Sequence, residues 1–284
     1  MSRFRSDLFL VWVLRACAAL AGAVVLLIVV FLVAESLPVL RHVGLSPFFT
    51  DADWHPAERL YNLTPMLWGT LFAMTGAVLV ATPLGILSAV FCHYYAPLPL
   101  ARWYRRLVEL LAGIPSVVYG FWGLVNLVPL IARLHPPGPS LLAGILILTL
   151  MILPTIALMA DAALANVPSQ LLRGAAALGL PRWATIRGVV FPAAKSGLFT
   201  GVILETGRAI GETMAVLMVC GNVVQTPRSL FDPIRTLTAN IALEMAFAEG
   251  DHRAALFVSG LILMGLIVVL VIAAEIVSKG RIYG

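Results

Sequence analysis

Charged residues are scarce in this chain of 284 amino acids, and their scarcity decides its class. Only 12% of the residues are Asp, Glu, Lys or Arg, whereas 61% are hydrophobic and the mean hydropathy is +0.98. A soluble domain is about 25% charged and about 45–50% apolar, so an ordinary soluble domain is excluded. The net charge of +5 does not indicate nucleic-acid binding, because the basic residues cluster between long apolar stretches.

Patterns for metal and nucleotide binding are also missing. Cys17, Cys92 and Cys220 have neither disulfide nor metal spacing, and the five histidines form no ligand pair at helical spacing. Neither Lys195 nor Lys279 follows the glycines of a phosphate-binding loop. We therefore expect no metal and no cofactor on this chain, and any nucleotide site would need another chain.

Six long apolar stretches are present instead. A helix needs about 20 mostly apolar residues to cross a bilayer, and six segments qualify. They are residues 8–34, 66–94, 107–132, 141–164, 198–220 and 256–277. We predict an all-α polytopic membrane protein with six transmembrane helices, in which residues 1–65 form the first helix and an outer loop, and residues 66–284 form the core.

Prolines interrupt three of the apolar stretches. Pro83, Pro115 and Pro154 each remove a helix hydrogen bond, which predicts kinks or broken turns at those positions.

Basic residues predict the orientation of the helices. Most of them fall between alternate stretches on one side, and the positive-inside rule therefore places both termini in the cytoplasm. The residues on that side are Arg3, Arg5, Arg15, Arg102, Arg105, Arg106, Arg173, Arg182, Arg187, Lys195, Lys279 and Arg281, and those on the other side are Arg41, Arg59, Arg133, Arg228, Arg235 and Arg253.

Three charged residues lie inside the fifth apolar stretch. At about 100° per residue, Glu205, Arg208 and Glu212 fall within about 60° on one helix face. A charge at membrane depth costs roughly 2.5–3.5 kcal/mol, so such residues usually face a bundle interior or a solute path. The alternative is a structural ion pair that fixes helix packing. Thr206 and Thr213 either offer hydroxyl donors to the path or bond to their own helix.

The predicted cytoplasmic loop 166–195 resembles a helical hairpin. Gly179 ends its first helix, Pro181 begins the second and Pro192 stops it. The hairpin is either a knob for a soluble partner or an amphipathic loop on the lipid headgroups. Its apolar face contains Leu171, Ala175, Leu178, Trp183 and Ile186, with Arg173, Arg182 and Arg187 interspersed.

The outer loop 221–255 contains a second amphipathic pattern. Leu237, Ile241, Met245 and Ala248 predict one apolar helix face within residues 234–248. This helix either lies against the membrane or a partner, or caps the bundle.

The hairpin resembles the EAA loop of permease subunits of bacterial ABC importers. Gly179 and Pro192 match the spacing of that pattern and Ala175 matches its second alanine, whereas Arg173 replaces its Glu. Three further segments resemble the C-type permease subunits of the high-affinity phosphate (Pst) importers. They are Gly-Ile-Pro-Ser-Val-Val-Tyr-Gly at 113–120, Gly-Arg-Ala-Ile-Gly-Glu-Thr-Met-Ala at 207–215 and Ser-Leu-Phe-Asp-Pro at 229–233.

This resemblance implies a type I ABC importer permease fold and a heteromeric machine in the inner membrane. The partners would be an A-type permease subunit, two cytoplasmic ATPases that hold ATP and Mg²⁺, and a phosphate-binding protein outside. We expect this chain to form half of the pore. The expected substrate pathway contains Arg208, Glu212, Glu205 and Thr213, and the expected ATPase-coupling residues are Arg173, Ala175, Gly179, Trp183, Arg187 and Pro192.

The sequence leaves three other functions open. A permease for molybdate or sulfate would share the hairpin but not the 207–215 segment. A membrane scaffold or sensor would need no substrate path. An intramembrane enzyme would have to use Asp161 and His93, which show no nucleophile–base pattern.

Overall fold

The computed structural model describes residues 2–279, and within them the side chains of residues 10–273, 275 and 276. It consists almost entirely of helices. In chain order the elements are α1 (Ser2–His42), α2 (Pro47–Thr50), β1 (Trp54–His55), β2 (Leu60–Tyr61), α3 (Thr64–Val90), α4 (Leu98–Ala112), α5 (Ser116–Trp122), α6 (Val128–Leu134), α7 (Leu141–Ala165), α8 (Ser169–Ala177), α9 (Arg182–Thr185), α10 (Phe191–Gly211), α11 (Met214–Val219), α12 (Leu237–Glu244) and α13 (Gly250–Lys279).

Six helical segments within residues 2–279 are long and apolar enough to cross a membrane, which confirms the predicted number. We call the end with Phe91–Tyr95 and residues 166–181 the hairpin end, and the end with residues 43–63 and 221–249 the loop end. The side chains of Arg3, Arg5, Lys279 and Arg281, which were used to predict orientation, lie outside the described ranges.

Helix α7 is the centre of the bundle. Its buried apolar side chains pack against α3, α10 and α11 in one continuous cluster. The contact with α3 needs glycine, because a Cβ on Gly85 would lie 2.7 Å from Ile156 Cγ2. Pro83 and Pro154 lie inside single uninterrupted helices, so the predicted broken turns do not occur at these two positions.

The fifth transmembrane helix begins far earlier than predicted. It runs from Arg182 to Gly211 through α9, a π-helical turn at Ile186–Val190 and α10, and Pro192 does not stop it. The prediction of a separate second hairpin helix was therefore wrong. Proline fits here because the π turn directly before it rearranges the backbone hydrogen bonds that a proline would otherwise disrupt.

The predicted stretch 198–220 is broken in the middle. Helix α10 ends at Gly211, Glu212 has an extended backbone (ψ 128°), and α11 begins at Met214. A Cβ on Gly197 would lie 2.8 Å from Ala163 Cβ and one on Gly201 2.9 Å from Met159 Cβ, so α10 and α7 are antiparallel. Continuing this register places the break beside residues 147–149, at membrane depth but on the loop-end side of the middle of α7.

The third predicted stretch, 107–132, is also broken. Its first residues belong to α4, and Pro115 precedes the first residue of α5, so here proline does mark an interruption. A Cβ on Gly120 would lie 2.7 Å from Ala215 Cα, and one on Gly123 would lie 2.9 Å from Val219 Cγ1. Helices α5 and α11 therefore run side by side in the same direction, and both begin near the middle of the bundle.

The loop end forms its own small core. The β1–β2 hairpin pairs Trp54 with Tyr61, and both side chains are buried together with Phe48, Leu63 and Leu237. Helix α12 covers only Leu237–Glu244, less than the predicted 234–248, and it packs on α13 and α3. Of the two readings of this helix, the structure favours the one in which it caps the bundle.

Candidate functional site

Arg208 projects from α10 at the depth of the break. Its Nη1 atom donates to Thr155 Oγ1 of α7 at 3.3 Å and lies 3.8 Å from Glu205 Oε2. The side chain is 37% exposed, so part of the guanidinium fork stays accessible. Thr155 is ten residues from the end of α7 and fourteen from its start, which places this cation near the membrane centre.

Glu205 is buried behind Arg208. Its side chain is only 7% exposed, and among the residues that the structure describes its Oε2 atom has no hydrogen-bond partner. The carboxylate therefore compensates the charge of Arg208 from inside the protein and does not line an open path. A lone buried charge would be far more costly than this pair.

Glu212 does not share a helix face with Arg208, and that prediction was wrong. Because Gly211 ends α10, the Glu212 side chain turns towards α11, where its Oε1 atom accepts the N–H of Ala215 at 3.1 Å. This bond satisfies a backbone donor at the start of α11, in the manner of a helix cap. The break is thus stabilised by the residue that was expected to extend the helix.

The two threonines bond to nearby backbone. Thr206 Oγ1 donates to Val202 O at 2.7 Å within α10, and Thr213 Oγ1 donates to Gly211 O at 3.2 Å. The Thr206 bond agrees with the alternative in which this hydroxyl bonds to its own helix and does not line the path. Thr213 lies in the break itself, and its hydroxyl satisfies a carbonyl that the end of α10 leaves free.

One face of α10 is exposed along its whole length. Residues four apart lie on one side of a helix, and here they combine small polar groups with Arg208. The exposed residues of this face are Ser196, Thr200, Leu204, Arg208 and Gly211. Arg208 on this exposed face would be costly against lipid, so the face is suited to a water-filled path or a partner.

Two residues that interact with Arg208 were not found by sequence reasoning. Thr155 supplies its hydroxyl partner. Tyr119, on the first turn of α5, donates its hydroxyl to Leu111 O at 2.9 Å, and the charge of Arg208 acts on it only at longer range. Both come from helices far away in sequence. The motif at 113–120 contains Tyr119, but no signal in the sequence connects it with Arg208.

Five of the six expected coupling residues lie on the surface of the hairpin end. Arg173, Gly179, Trp183, Arg187 and Pro192 are exposed, whereas Ala175 is only 4% exposed and packs inward. Gly179 has φ +66°, a conformation that favours glycine, and it ends α8 as predicted. The predicted single apolar face is divided, because Ala175 and Ile186 are buried while Leu171, Leu178 and Trp183 point outward.

Asp161 and His93, the residues considered for an enzyme, belong to an ion-paired cluster. Asp161 Oδ1 lies 2.9 Å from Arg105 Nη2 and 3.4 Å from His93 Nδ1. The cluster joins α4, α7 and the π turn after α3, which gives both residues a structural role. No group of three or more His, Cys, Asp or Glu side chains suited to a metal occurs in the described part of the chain.

Glu244 is the centre of a second polar cluster, at the loop end, which the sequence did not indicate. Its Oε1 atom lies 2.6 Å from Arg235 Nη1, and its Oε2 atom accepts from Trp54 Nε1 and bonds to His252 Nε2, both at 2.9 Å.

Nearby, burial raises the pKa of the Tyr61 hydroxyl above its usual value, and the charge of Asp251 adds to this shift.

The broken helices, the intramembrane cation and the exposed hairpin are the parts of a membrane permease. The chain belongs to the family described as binding-protein-dependent transport system inner membrane component, whose model matches residues 81–283. Its fold is that of the type I ABC importer permeases. A bacterial ABC transporter involved in the import of the acidic polysaccharide alginate superposes with a TM-score of 0.61 at 14% identity, over 92% of this chain and 96% of that one.

Curated relatives are more similar in sequence. The chain is 42% identical to the probable ABC transporter permease protein YqgH of Bacillus subtilis, over 82% of this chain and 77% of that protein. It is 38% identical to the phosphate transport system permease protein PstC of Mesorhizobium japonicum, over 89% of this chain and 82% of that protein.

Proposed function

We propose that this chain is a permease subunit of an ATP-driven importer of inorganic phosphate, and that it forms half of the translocation pore. The observation that carries the proposal is Arg208, a partly exposed guanidinium at mid-membrane depth on the exposed polar face of α10. An arginine fork matches the oxygen geometry of phosphate. Several relatives that carry the name phosphate transport permease support the choice of anion.

The surroundings of Arg208 suit transient binding of an anion. Helices α5 and α6 are joined by a π-helical turn at Gly123–Leu127 into one span, Ser116–Leu134. This span begins at the same depth as Arg208, and its positive N-terminal end adds to the attraction. Glu205 balances the cation from behind when no substrate is present. Conduction requires an ion to enter readily and to leave again, and the buried carboxylate prevents Arg208 from retaining phosphate too tightly.

The hairpin end is the proposed contact with two cytoplasmic ATPase subunits, which would hold ATP and Mg²⁺. Its exposed apolar residues Leu178 and Trp183, flanked by Arg173 and Arg187, suit a groove on a soluble partner. Arginines concentrate at this end, so the positive-inside rule supports a cytoplasmic orientation for it and for both termini. An A-type permease subunit would cover the exposed face of α10, and a phosphate-binding protein would dock at the loop end.

The test is ATP-dependent uptake of labelled phosphate into vesicles that contain this chain with its partner subunits. Arg208→Gln keeps the size of the side chain and removes the charge, so we expect uptake to fall to background while the complex still assembles. Arg133→Gln, a change of an exposed arginine at the loop end, serves as the matched control and should retain uptake.

Sulfate and molybdate uptake are measured beside phosphate. Selective uptake of sulfate or molybdate would show that phosphate is not the substrate, but the assignment of the chain as a permease subunit would stand. Wild-type phosphate uptake by Arg208→Gln would show that the arginine has a structural role only. An assembled wild-type complex that transports none of the three anions would favour a scaffold or sensor.

A further inference from the structure

Residues 234–240 form a buried polar segment that descends from the loop end into the bundle. Thr236, Thr238 and Asn240 are polar, yet they are only 3%, 7% and 0% exposed. The backbone N–H of Leu237 donates to Thr70 Oγ1 at 3.0 Å. Thr70 is six residues into α3, so this contact lies about 9 Å below the loop end of that helix.

The deepest contact of this segment is with the break in the fifth helix. Thr238 Oγ1 donates to the backbone carbonyl of Glu212 at 2.9 Å. Because Glu212 has left the helical conformation, its carbonyl has no place in the helical hydrogen-bond ladder of α10. A carbonyl without a hydrogen-bond donor is strongly unfavourable at membrane depth, so a donor from elsewhere in the fold is needed there.

The hydrogen bonds around Thr238 have a single consistent direction. A hydroxyl has one proton, and that of Thr238 is used on Glu212. Thr236 Oγ1, 3.1 Å away, must therefore donate to Thr238 Oγ1, and it in turn accepts the N–H of Ala239 at 3.2 Å. The two hydroxyls form a short ordered chain from the start of α12 to the break.

The upper end of the segment is fixed by Arg235. Its Nε atom donates to Asn222 O at 2.9 Å, and its Nη1 atom bonds to Asn240 and Glu244. Glu244 is also held by Trp54 and His252. Arg235 and Asn240, near the two ends of the segment, are therefore both tied to the loop-end cluster, and Thr238 between them reaches the break.

We propose that Thr238 is a positioning residue for the Arg208 site. Its hydroxyl holds the Glu212 carbonyl and keeps α10 ending at Gly211, three residues beyond Arg208. The guanidinium thereby keeps its position in the membrane beside Thr155. The proposal rests on the proposed function for the role of Arg208, but the position of the break can be measured without any substrate.

The experiment compares Thr238→Val with Thr238→Ser in the assembled complex. Valine keeps the shape and removes the donor, whereas serine retains the hydroxyl. Thr149→Val is the matched control, because Thr149 is similarly buried, 6% exposed, and its hydroxyl donates only to Ile145 O of its own helix at 2.7 Å. If the valine complex does not assemble, Thr238→Ala, which adds no bulk, takes its place.

Two quantities are measured. The first is the maximal rate of phosphate uptake, which we expect to fall roughly two- to tenfold in Thr238→Val, the effect of one hydrogen bond. The second is the rate at which a water-soluble thiol reagent labels Met214→Cys, placed at the exposed start of α11 in a Cys17→Ser background. This rate should change about twofold or more in Thr238→Val, and Thr238→Ser should restore both values.

The outcomes separate the two proposals. A changed labelling rate in a complex whose wild type does not transport phosphate would overturn the proposed function and retain the positioning role. Thr238→Val values equal to those of Thr149→Val would overturn the positioning role. A lower uptake rate with unchanged labelling would also overturn it, because the hydroxyl would then act somewhere other than the break.

Discussion

Helices α7 and α10 lie side by side in the bundle, but α7 is continuous and the segment that contains α10 is interrupted. Helix α7 contains Pro154 near its middle and continues without a break to Ala165. The α10 segment contains no proline near its end, yet it stops at Gly211 in the middle of the bundle. Pro115 does precede the start of α5, but proline content alone does not decide where this membrane protein interrupts its helices.

The difference arises from the partners of the freed backbone groups. At the break, Glu212 accepts the N–H of Ala215, Thr213 donates to Gly211 O and Thr238 donates to Glu212 O. Because of these partners, the backbone groups that the break frees remain hydrogen-bonded where no water is available. Around Pro154 the buried neighbours Met151, Ile152 and Ile156 belong to the apolar core, so an opened turn would leave backbone groups facing mainly apolar side chains.

The largest expected effect comes from the contact that holds the two interrupted helices together. Gly120→Ala would place a Cβ 2.7 Å from Ala215 Cα, which is backbone and cannot swing aside. We expect a loss of about 1–3 kcal/mol in stability, seen as a lower thermal midpoint of the purified complex.

Gly265→Ala is the control for that change. It makes the same substitution in α13, where no heavy atom of the described residues lies within 4 Å of the added Cβ, and it should be neutral or slightly stabilising. An equal response of both variants would show that the contact between α5 and α11 is looser than 2.7 Å implies.

A smaller effect is expected at Glu212. Glu212→Ala removes the acceptor for Ala215, which should cost about 0.5–2 kcal/mol, as the loss of a helix cap does. Glu212→Gln keeps an oxygen acceptor and loses only the charge, so its thermal midpoint should lie between those of Glu212→Ala and wild type. A Gln variant as unstable as the Ala variant would mean that the charge, and not the hydrogen bond, stabilises the break.

The sequence was sufficient for the number of transmembrane helices and for a charged pair of Glu205 and Arg208 inside the bundle. Both follow from the cost of polar groups in lipid, which acts on each segment separately. The break at Gly211 could not be predicted in this way, because apart from the three charges and three threonines residues 198–220 are apolar throughout. It depends on partners such as Thr238, which lies 26 residues beyond Glu212 and reaches it only in the folded chain.

The assumption of a continuous helix also led to a wrong prediction for the role of Glu212. A continuous helix would put Glu212 on the face of Arg208, and the predicted pair follows from that assumption. In the structure Glu205 compensates the arginine and Glu212 caps α11. The hairpin was predicted better, since Gly179 has a local signal, but Pro192 misled because a π turn accommodates it.

The smallest expected effect is at Pro154, and it tests the comparison directly. If α7 is a rigid partner for a broken neighbour, Pro154→Ala should leave phosphate uptake within about twofold of wild type. The thermal midpoint should change little, because alanine fits a helix interior and adds a possible backbone hydrogen bond. Pro83→Ala in α3 is the matched change outside α7 and should behave in the same way.

A large loss of uptake in Pro154→Ala with unchanged assembly would instead assign a hinge to α7. Both helices beside Arg208 would then change shape during transport, and the contrast between them would hold only for the state described by the structure.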